Sequence, residues 1–218
     1  MLSLKGKGVC GGVTLGTLAV LQREAAAVKR RKVLDAEAEV ARFQAARQEA
    51  IAKLAVLYEK AVVDVGRDNA AIFEIHQMML EDLDYIESIE GIIRTQHVNA
   101  EYAVQTTAAN FAEIFSSMED DYMRARAADV KDISRKVLDC LGDGGSSWES
   151  GEGSYILAAD DLAPSETVQL DKARVQGFVT AAGSVNSHTA ILARTIGIPA
   201  VVSTGSSIGE EYDGKLVA

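Results

Sequence analysis

Hydrophobic positions change their spacing twice along the 218 residues of the chain. From about residue 35 to residue 141, apolar residues recur every three or four positions in long segments with almost no glycine and no proline, which is typical of α-helices. On either side the apolar runs are short, rich in β-branched residues and separated by glycines, which is typical of strands and tight turns. The pattern therefore predicts a helical section between two sections that contain strands.

The helical section is predicted to hold four helices. The first runs from about 34 to 65, and the second begins near Asp68 and continues past Ile89. Asn99 is a candidate N-cap for the third helix because its side chain can accept a hydrogen bond from the first helical turn. The fourth helix is predicted to span about 121–141.

Three short apolar runs near the end of the chain are typical of buried strands: YILAA at 155–159, VQGFVTA at 175–181 and AVV at 200–202. The segment before them, GDGGSSWESGEGS at 142–154, is too polar and too rich in glycine to hold regular structure, so a linker or exposed loop is predicted. A helix is expected to start near Ser165, with the Ser165 side chain as its cap.

The strand-forming sequence lies at both ends of the chain, and this restricts the fold. Short strands cannot form a core alone, so the two ends must meet in one sheet across the helical section. We therefore predict a mixed α+β or α/β architecture with two domains. An α/β domain would comprise residues 1–24 and 143–218, and a helical hairpin bundle of residues 25–142 would be inserted into it.

Charge and cysteine content narrow the partners and the compartment. The chain has 22 Lys and Arg against 32 Asp and Glu, a formal net charge of −10 at pH 7, which argues against a nucleic-acid partner and favours a basic protein. Two isolated cysteines, Cys10 and Cys140, fit neither a disulfide framework nor a zinc site, so a reducing cytoplasm is expected. The sequence has no signal-peptide pattern and no segment of membrane-spanning length, so no membrane association is predicted.

The stretch SVNSHTAILAR, 184–194, places a histidine where the pattern turns from a strand to a helix that should end at Gly197. His188 would lie in the first helical turn, where free N–H groups and the helix dipole favour an anion and disfavour a protonated imidazole. A neutral imidazole is a nucleophile, and a phosphoryl group on it would be met by the hydroxyls of Ser187 and Thr189. The alternative is a histidine that only caps or packs.

The sequence gives little support to a serine hydrolase or to a zinc site. Ser187 beside His188 suggests a serine hydrolase, but adjacent helical residues point to different faces and the chain has no Gly-x-Ser-x-Gly elbow. The remaining histidines, His76 and His97, lack the i, i+4 spacing of a zinc-binding helix, so no metal site is predicted.

Four stretches together resemble one family: AADDLAPSETVQL, GFVTAAGSVNSHTAILARTIGIPAVVSTG, AIFEIHQMMLED and RAADVKDISRKVL. They are similar, in order and over nearly the whole chain, to the N-terminal half of enzyme I of the phosphoenolpyruvate-dependent sugar phosphotransferase system. The histidine motif alone is shared with pyruvate phosphate dikinases and phosphoenolpyruvate synthases, and a phosphohistidine domain of that type is the alternative. The helical motifs favour enzyme I.

The resemblance implies a swivelling phosphohistidine α/β domain with an inserted four-helix domain that docks the small phosphocarrier HPr. It implies phosphoryl transfer from phosphoenolpyruvate to HPr in cytoplasmic sugar uptake. The family's second half, a phosphoenolpyruvate-binding barrel that needs Mg²⁺ and forms the homodimer, is absent from these residues. The chain is therefore expected to be a monomeric fragment without a cofactor of its own.

The resemblance also assigns roles in the α/β domain. His188 matches the phosphorylated histidine, Thr167 the threonine that hydrogen-bonds its ring, and Arg194 the arginine of the family's Ala-Arg pair. The loop departs from the family, which usually has Gly-Gly-Arg-Thr where this chain has Gly183 to Asn186, GSVN. Asn186 could still cap the helix and offer an amide to phosphate. The missing arginine keeps open a second hypothesis, a helical adaptor that has lost phosphotransfer.

In the helical section the resemblance implies a carrier-docking surface. Its expected residues are Glu74, His76, Met78, Met79, Asp82, Asp84 and Arg126. Without the resemblance, His76 would be an ordinary exposed residue and Arg126 a solvated charge. Met78, Met79 and Leu80 are consecutive and cannot all face one side of a helix, so one is expected to be exposed as an apolar anchor and others to be core.

Overall fold

The structure is a computed structural model of the chain. It describes residues 3–21, 28–142, 153–171, 173–185, 187–206 and 208–218. The chain divides into two compact units. The sheet unit comprises Met1–Glu24, Glu59–Ile72 and Trp148–Ala218, and the helical unit comprises Ala25–Tyr58 and Phe73–Ser147. None of the described helices is both long enough and apolar enough to cross a membrane.

The sheet unit contains a six-stranded mixed sheet. Its strands are β1 Lys7–Cys10, β2 Gly16–Val20, β3 Tyr155–Ala159, β4 Val175–Thr180, β5 Ala200–Val202 and β6 Leu216–Val217. Their order across the sheet is β1-β5-β4-β3-β2-β6, with β2, β3, β4 and β5 parallel to one another and β1 and β6 antiparallel at the edges. The three apolar runs are confirmed as strands, and both ends of the chain build one sheet.

The centre of this sheet is buried on both faces. All five residues of β3 are buried, and alternate residues serve different cores. Leu157 packs with Phe178 and Ala193 on one face, whereas Ile156 packs with Leu18 on the other. Because side chains alternate along a strand, a continuous apolar run is what a strand covered on both faces requires. The helices α6 Pro164–Thr167 and α7 His188–Ile196 belong to this unit.

The insertion between β2 and β3 is helical, and its described residues form five helices. They are α1 Ala36–Val65, α2 Arg67–Glu81, α3 Leu83–Gln96, α4 Ala100–Ser116 and α5 Asp121–Leu141. The prediction of a single second helix is wrong, because the chain leaves helical geometry at Asp82 (φ −63°, ψ 128°). The Asp82 carboxylate accepts a hydrogen bond from Tyr85 N at 3.2 Å and so caps α3.

Asn99 takes the predicted N-cap position of α4, but its side chain is not used as a cap. Its Oδ1 accepts from Arg31 N at 2.7 Å, and its Nδ2 donates to Glu101 Oε2 at 2.8 Å. The amide therefore links the segment that precedes α1 to the start of α4.

We predict that Asp82→Ala lowers the free energy of unfolding of the helical unit by about 1 kcal/mol, because the first turn of α3 loses its side-chain acceptor. Asp82→Asn is the matched control, since the amide oxygen can accept the same hydrogen bond. Urea denaturation followed by far-UV circular dichroism measures both. Equal losses for the two variants would contradict a capping role.

Candidate functional site

The candidate site lies at the edge of the sheet where β3 and β4 end. These neighbouring strands are parallel, so the loops that follow them leave the sheet at the same edge. The loop after β3 leads into α6, and the loop after β4 leads into α7. The two helices pack against each other, which brings the Pro-Ser-Glu-Thr and Ser-His sequence motifs together.

The loop after β4 is held by backbone hydrogen bonds on both sides. Ala182 N donates to Asp160 O at 2.8 Å, on the loop after β3. On the other side, Ser203 N donates to Ala182 O at 3.2 Å and Gly205 N to Ala181 O at 3.0 Å. The loop that precedes the histidine therefore has its first residues fixed by three parallel strand ends.

Gly183 and Ser203 complete this arrangement. Gly183 has φ +93°, which favours glycine, and a Cβ at this position would lie 3.4 Å from Asp161 Oδ1. Ser203 is itself left-handed (φ 56°), and its Oγ donates to Gly183 O at 2.5 Å. Sequence reasoning missed Ser203. Its position directly after the predicted buried strand AVV was the available signal, because the residues that follow parallel strands share the edge with the site.

Ser187 is the N-cap of α7. Its Oγ accepts from Ala190 N at 3.2 Å and donates to Ser184 O at 2.9 Å. The helix begins at His188. The cap is therefore Ser187 and not Asn186, which lies outside the described residues. At the other end Gly197 (φ 79°) closes the helix as predicted.

Thr189 is buried, and its Oγ1 donates to Leu162 O at 2.6 Å. This bond joins the first turn of α7 to the loop before α6. The expectation that the Thr189 hydroxyl faces a phosphoryl group is corrected, because the donor is committed to the fold.

The start of α6 differs from the prediction that Ser165 caps it. The N-cap position is Ala163, and the first turn is closed by Glu166, whose Oε2 accepts from Ala163 N at 2.7 Å. Ser165 is buried inside the helix. Thr167 is also fully buried, and its Oγ1 donates to Ala163 O at 3.0 Å. A hydroxyl that donates once can still accept through its lone pairs.

Arg194 is exposed and reaches back along α7. Its Nε lies 3.5 Å from Ala190 O, and its Nη2 donates to Val185 O. The guanidinium of Arg194 thus stabilises the loop that precedes the histidine through its hydrogen bond to Val185. Among the described ranges, no group of three or more His, Cys, Asp or Glu side chains could hold a metal ion.

The expected docking residues of the helical unit divide into exposed and buried ones. Glu74, Asp82 and Asp84 are exposed, Met79 is half-buried, and Met78 is 68% exposed. Leu80 is fully buried, which confirms that the Met-Met-Leu run divides between surface and core. Sequence reasoning missed Leu83, which is 70% exposed at the start of α3. The available signal for an exposed apolar contact was an apolar side chain directly after an aspartate that can cap a helix.

His76 does not belong to this surface, so the expectation of an exposed histidine is wrong. The side chain is 0% exposed and lies between two carboxylates, with Nε2 3.3 Å from Asp129 Oδ1 and Nδ1 3.6 Å from Asp132 Oδ2. Arg126 is 16% exposed, and its Nη1 lies 3.4 Å from Asp129 Oδ2. The apolar residues Phe73 and Leu80, at i−3 and i+4 from His76, share its helix face and carry it into the core.

Comparison with known families gives two matches in sequence order. The family described as "PEP-utilising enzyme, N-terminal" matches residues 5–126, and the family described as "PEP-utilising enzyme, mobile domain" matches residues 151–218.

Curated relatives named phosphoenolpyruvate-protein phosphotransferase match nearly all of the chain. The protein of Bacillus sp. (strain S) is 38% identical over 216 residues, which are 99% of this chain and 37% of the relative. The protein of Bacillus subtilis (strain 168) is 36% identical over 218 residues, which are 100% of this chain and 38% of the relative. The chain thus spans little more than a third of these relatives.

Two solved structures are similar throughout. An NMR solution structure of Enzyme I (nEIt) is 32% identical with a TM-score of 0.74, covering 98% of this chain and 88% of that one. A structure described as the N-terminal domain of Enzyme 1 - Nitrogen is 25% identical with a TM-score of 0.67, covering 99% and 93%.

We predict that Thr189→Val destabilises the sheet unit by about 1–3 kcal/mol, because the buried Leu162 carbonyl loses its donor while the side-chain volume is kept. Thr189→Ser keeps the hydroxyl and should lose clearly less stability. Thermal unfolding of both variants makes the comparison. A valine variant as stable as the serine variant would show that the hydroxyl is not needed by the fold.

Proposed function

Since the chain belongs to the PEP-utilising enzymes, whose N-terminal and mobile domains it matches in order, we propose that it is the phosphohistidine half of a phosphoenolpyruvate-protein phosphotransferase. A phosphoryl group would pass from phosphoenolpyruvate, through His188, to an HPr-like phosphocarrier. The observation that carries the proposal is the place of His188, which is the first residue of α7 at the fixed edge of the sheet. This transfer would serve sugar uptake, and we place it in the cytoplasm.

The start of α7 suits a phosphorylated histidine. The first N–H groups of a helix have no partner within the helix, and the positive end of the helix dipole disfavours a second proton on an imidazole there. A neutral ring nitrogen can attack the phosphorus of a carrier phosphohistidine. The new N–P bond forms as the carrier's N–P bond breaks, and the carrier imidazole leaves with the bonding electron pair. No metal is needed for this exchange.

Thr167 would orient the ring. Its hydroxyl is fully buried and already donates to Ala163 O, so its oxygen is free only to accept. An imidazole N–H of His188 is the donor that suits it, and this bond would fix which ring nitrogen is left to react. The packing of α6 against α7 supports the pairing.

The hydroxyls near His188 would contribute less to phosphoryl-group binding than the sequence suggests. Ser187 caps the helix and Thr189 bonds Leu162 O, so backbone N–H groups of α7 are left as the main donors to a phosphoryl group. In place of the family's loop arginine, Arg194 braces the GSVN loop from α7. We therefore assign Arg194 to loop support and Asn186, by sequence position, to the phosphate-facing loop.

The helical unit would supply the docking surface for the carrier. Exposed acids on α2 and α3 give it negative charge, with no Lys or Arg between residues 68 and 93. Met78 and Leu83 provide exposed apolar contacts, and Met79 is half-buried beside them. A basic carrier face with an apolar centre fits this composition.

Phosphoenolpyruvate would be bound by a second half that these residues do not include. Binding of its carboxylate and phosphate generally takes arginine clamps and a Mg²⁺ held by carboxylates. The described residues offer no such metal-binding group, so no step of this chain is assigned to the ion. We propose that the full-length protein forms the homodimer through that second half, and that the 218 residues alone are a monomer.

We predict that the chain gains one phosphate from a phosphorylated HPr-type carrier without metal, and none from phosphoenolpyruvate with Mg²⁺ alone. His188→Ala should abolish the gain because no other side chain of the loop is a neutral nitrogen nucleophile. Intact-mass spectrometry measures the gain under each condition. Adding the separately expressed second half of a relative should restore phosphorylation by phosphoenolpyruvate.

His97→Asn is the control for loss of a histidine, since His97 is exposed in left-handed geometry (φ 49°) that asparagine tolerates. It should leave phosphorylation unchanged. A chain that binds the carrier but gains no phosphate would favour the non-catalytic adaptor, which the altered GSVN loop suggests. Phosphorylation by phosphoenolpyruvate alone would contradict the division between two halves.

We also predict that the association rate constant with the carrier falls by at least about tenfold between low and high ionic strength, because the exposed acids attract a basic face through a field that salt screens. Met78→Ala should mainly raise the dissociation rate constant. Val56→Ala, an exposed apolar truncation on α1, is its control. Stopped-flow kinetics over a salt series gives both constants, and a salt-independent association rate would refute the electrostatic part.

A further inference from the structure

The helical unit contains a buried cluster of one histidine and two aspartates that the proposed phosphoryl transfer does not use. His76 on α2 is 0% exposed, and Asp129 and Asp132 on α5 are also buried. Each ring nitrogen lies near a different carboxylate, Nε2 3.3 Å from Asp129 Oδ1 and Nδ1 3.6 Å from Asp132 Oδ2, in contacts that lack hydrogen-bond geometry. The ring of Phe73 packs roughly perpendicular to that of His76, with the two ring centroids 6.4 Å apart.

The cluster is a poor choice if stability alone is the requirement. Asp129 and Asp132 are three positions apart, so they share one face of α5 with the apolar residues Val130 and Ile133 beside them. Charges taken out of water lose solvation that their mutual attraction only partly offsets, and apolar side chains of the same size often stabilise a core as well or better. The arrangement therefore calls for a second role.

The cluster continues outward to the surface through Arg126. Asp129 uses Oδ1 toward His76 and Oδ2 toward Arg126 Nη1, at 3.4 Å. The guanidinium carbon of Arg126 lies 4.7 Å from the ring centroid of the exposed Tyr122, and Nη2 donates to the Tyr122 hydroxyl. One carboxylate thus joins a fully buried histidine to an arginine that reaches the surface.

We propose that His76 is a positioning residue for carrier docking, which it serves by holding Asp129 so that Arg126 is fixed in one conformation. The inference rests on the proposed function and on the resemblance, which places Arg126 on the carrier-docking surface. An arginine fixed before binding loses less side-chain entropy on association than one that is free to move. With His76 in place, Asp129 Oδ1 faces inward and Oδ2 outward.

Loss of His76 should change the conformation of Arg126. Two buried carboxylates would then share a site without the imidazole between them, and Asp129 would keep its contact with the guanidinium of Arg126. Asp129 should rotate and draw Arg126 inward, away from Tyr122. Docking is weakened although His76 touches no carrier atom.

A double-mutant cycle tests this role. The variants are His76→Gln, Arg126→Ala and the two combined, and the measurement is the dissociation constant for an HPr-type carrier. His76→Gln should weaken binding by about three- to tenfold, the range expected for one long side chain that loses its fixed conformation. In the Arg126→Ala background the same change should alter binding by less than about 1.5-fold.

Equal weakening in both backgrounds, or no weakening in either, would overturn the proposal. Val137→Ala is the control for general destabilisation, since Val137 is fully buried on α5 well away from Arg126 in sequence. It should lower the unfolding temperature without changing the affinity. If His76→Gln does not fold, Asp129→Asn replaces it, because the amide keeps the shape but loses the charge that orders Arg126.

The order parameter of the Arg126 Nε–H group, from ¹⁵N relaxation, gives a readout that does not need the carrier. His76→Gln should lower it toward that of a mobile side chain, whereas Val137→Ala should not. An unchanged order parameter would overturn the proposal. An unsubstituted chain that does not bind the carrier would refute the docking function itself, and the order parameter alone would then decide whether His76 fixes Arg126.

Discussion

The parallel pairing of β2 with β3 is the constraint on which the sheet unit depends. The strand order β1-β5-β4-β3-β2-β6 means that β2 and β6 join the sheet only through this pairing. Its register runs from Thr17 opposite Tyr155 to Val20 opposite Ala158, although residues 21–154 separate the two strands in sequence. Loop-closure entropy grows slowly with length, so a long insertion is compatible with the pairing when the insertion folds on its own. The helical unit has a core of its own, with fully buried side chains that include Phe43, Leu54, Ile89 and Ile133.

Much of this fold could be predicted because each element carries a local signal. YILAA reads as a strand covered on both faces, and Gly66, with φ +82°, ends α1 where the pattern indicates. The break at Asp82 was missed because no glycine or proline marks it. A helix-start signal was nevertheless present, since Asp82 can act as an N-cap and Asp84 places a negative charge in the first helical turn. The cap of α6 was misplaced although a proline marks the start of that helix. Pro164 is favoured at the first helical position, which puts the cap at Ala163 and not at Ser165.

The site residues show where a sequence stops being informative. The burial of His76 follows from apolar neighbours on its own helix face, so periodicity could have indicated it. Its pairing with Asp129 and Asp132 depends on how α2 meets α5, which no local pattern specifies. The hydroxyls of Ser187 and Thr189 looked like phosphate ligands because of their sequence position. Three-dimensional contacts with Ser184 and Leu162 decide instead that they hold the start of α7 in place.

These hydroxyl contacts change what the start of α7 can offer to an anion. Side-chain donors that must turn toward a phosphoryl group reorganise during transfer, whereas backbone N–H groups of a helix are already oriented and need no rearrangement. Ser187 and Thr189 keep the first turn in that orientation, and the backbone bonds of Ala181 and Ala182 to the neighbouring strand ends keep the loop before it in place. In the proposed phosphoryl transfer, most of the positioning would therefore come from α7 and the sheet edge, not from the side chains that differ from the family at GSVN.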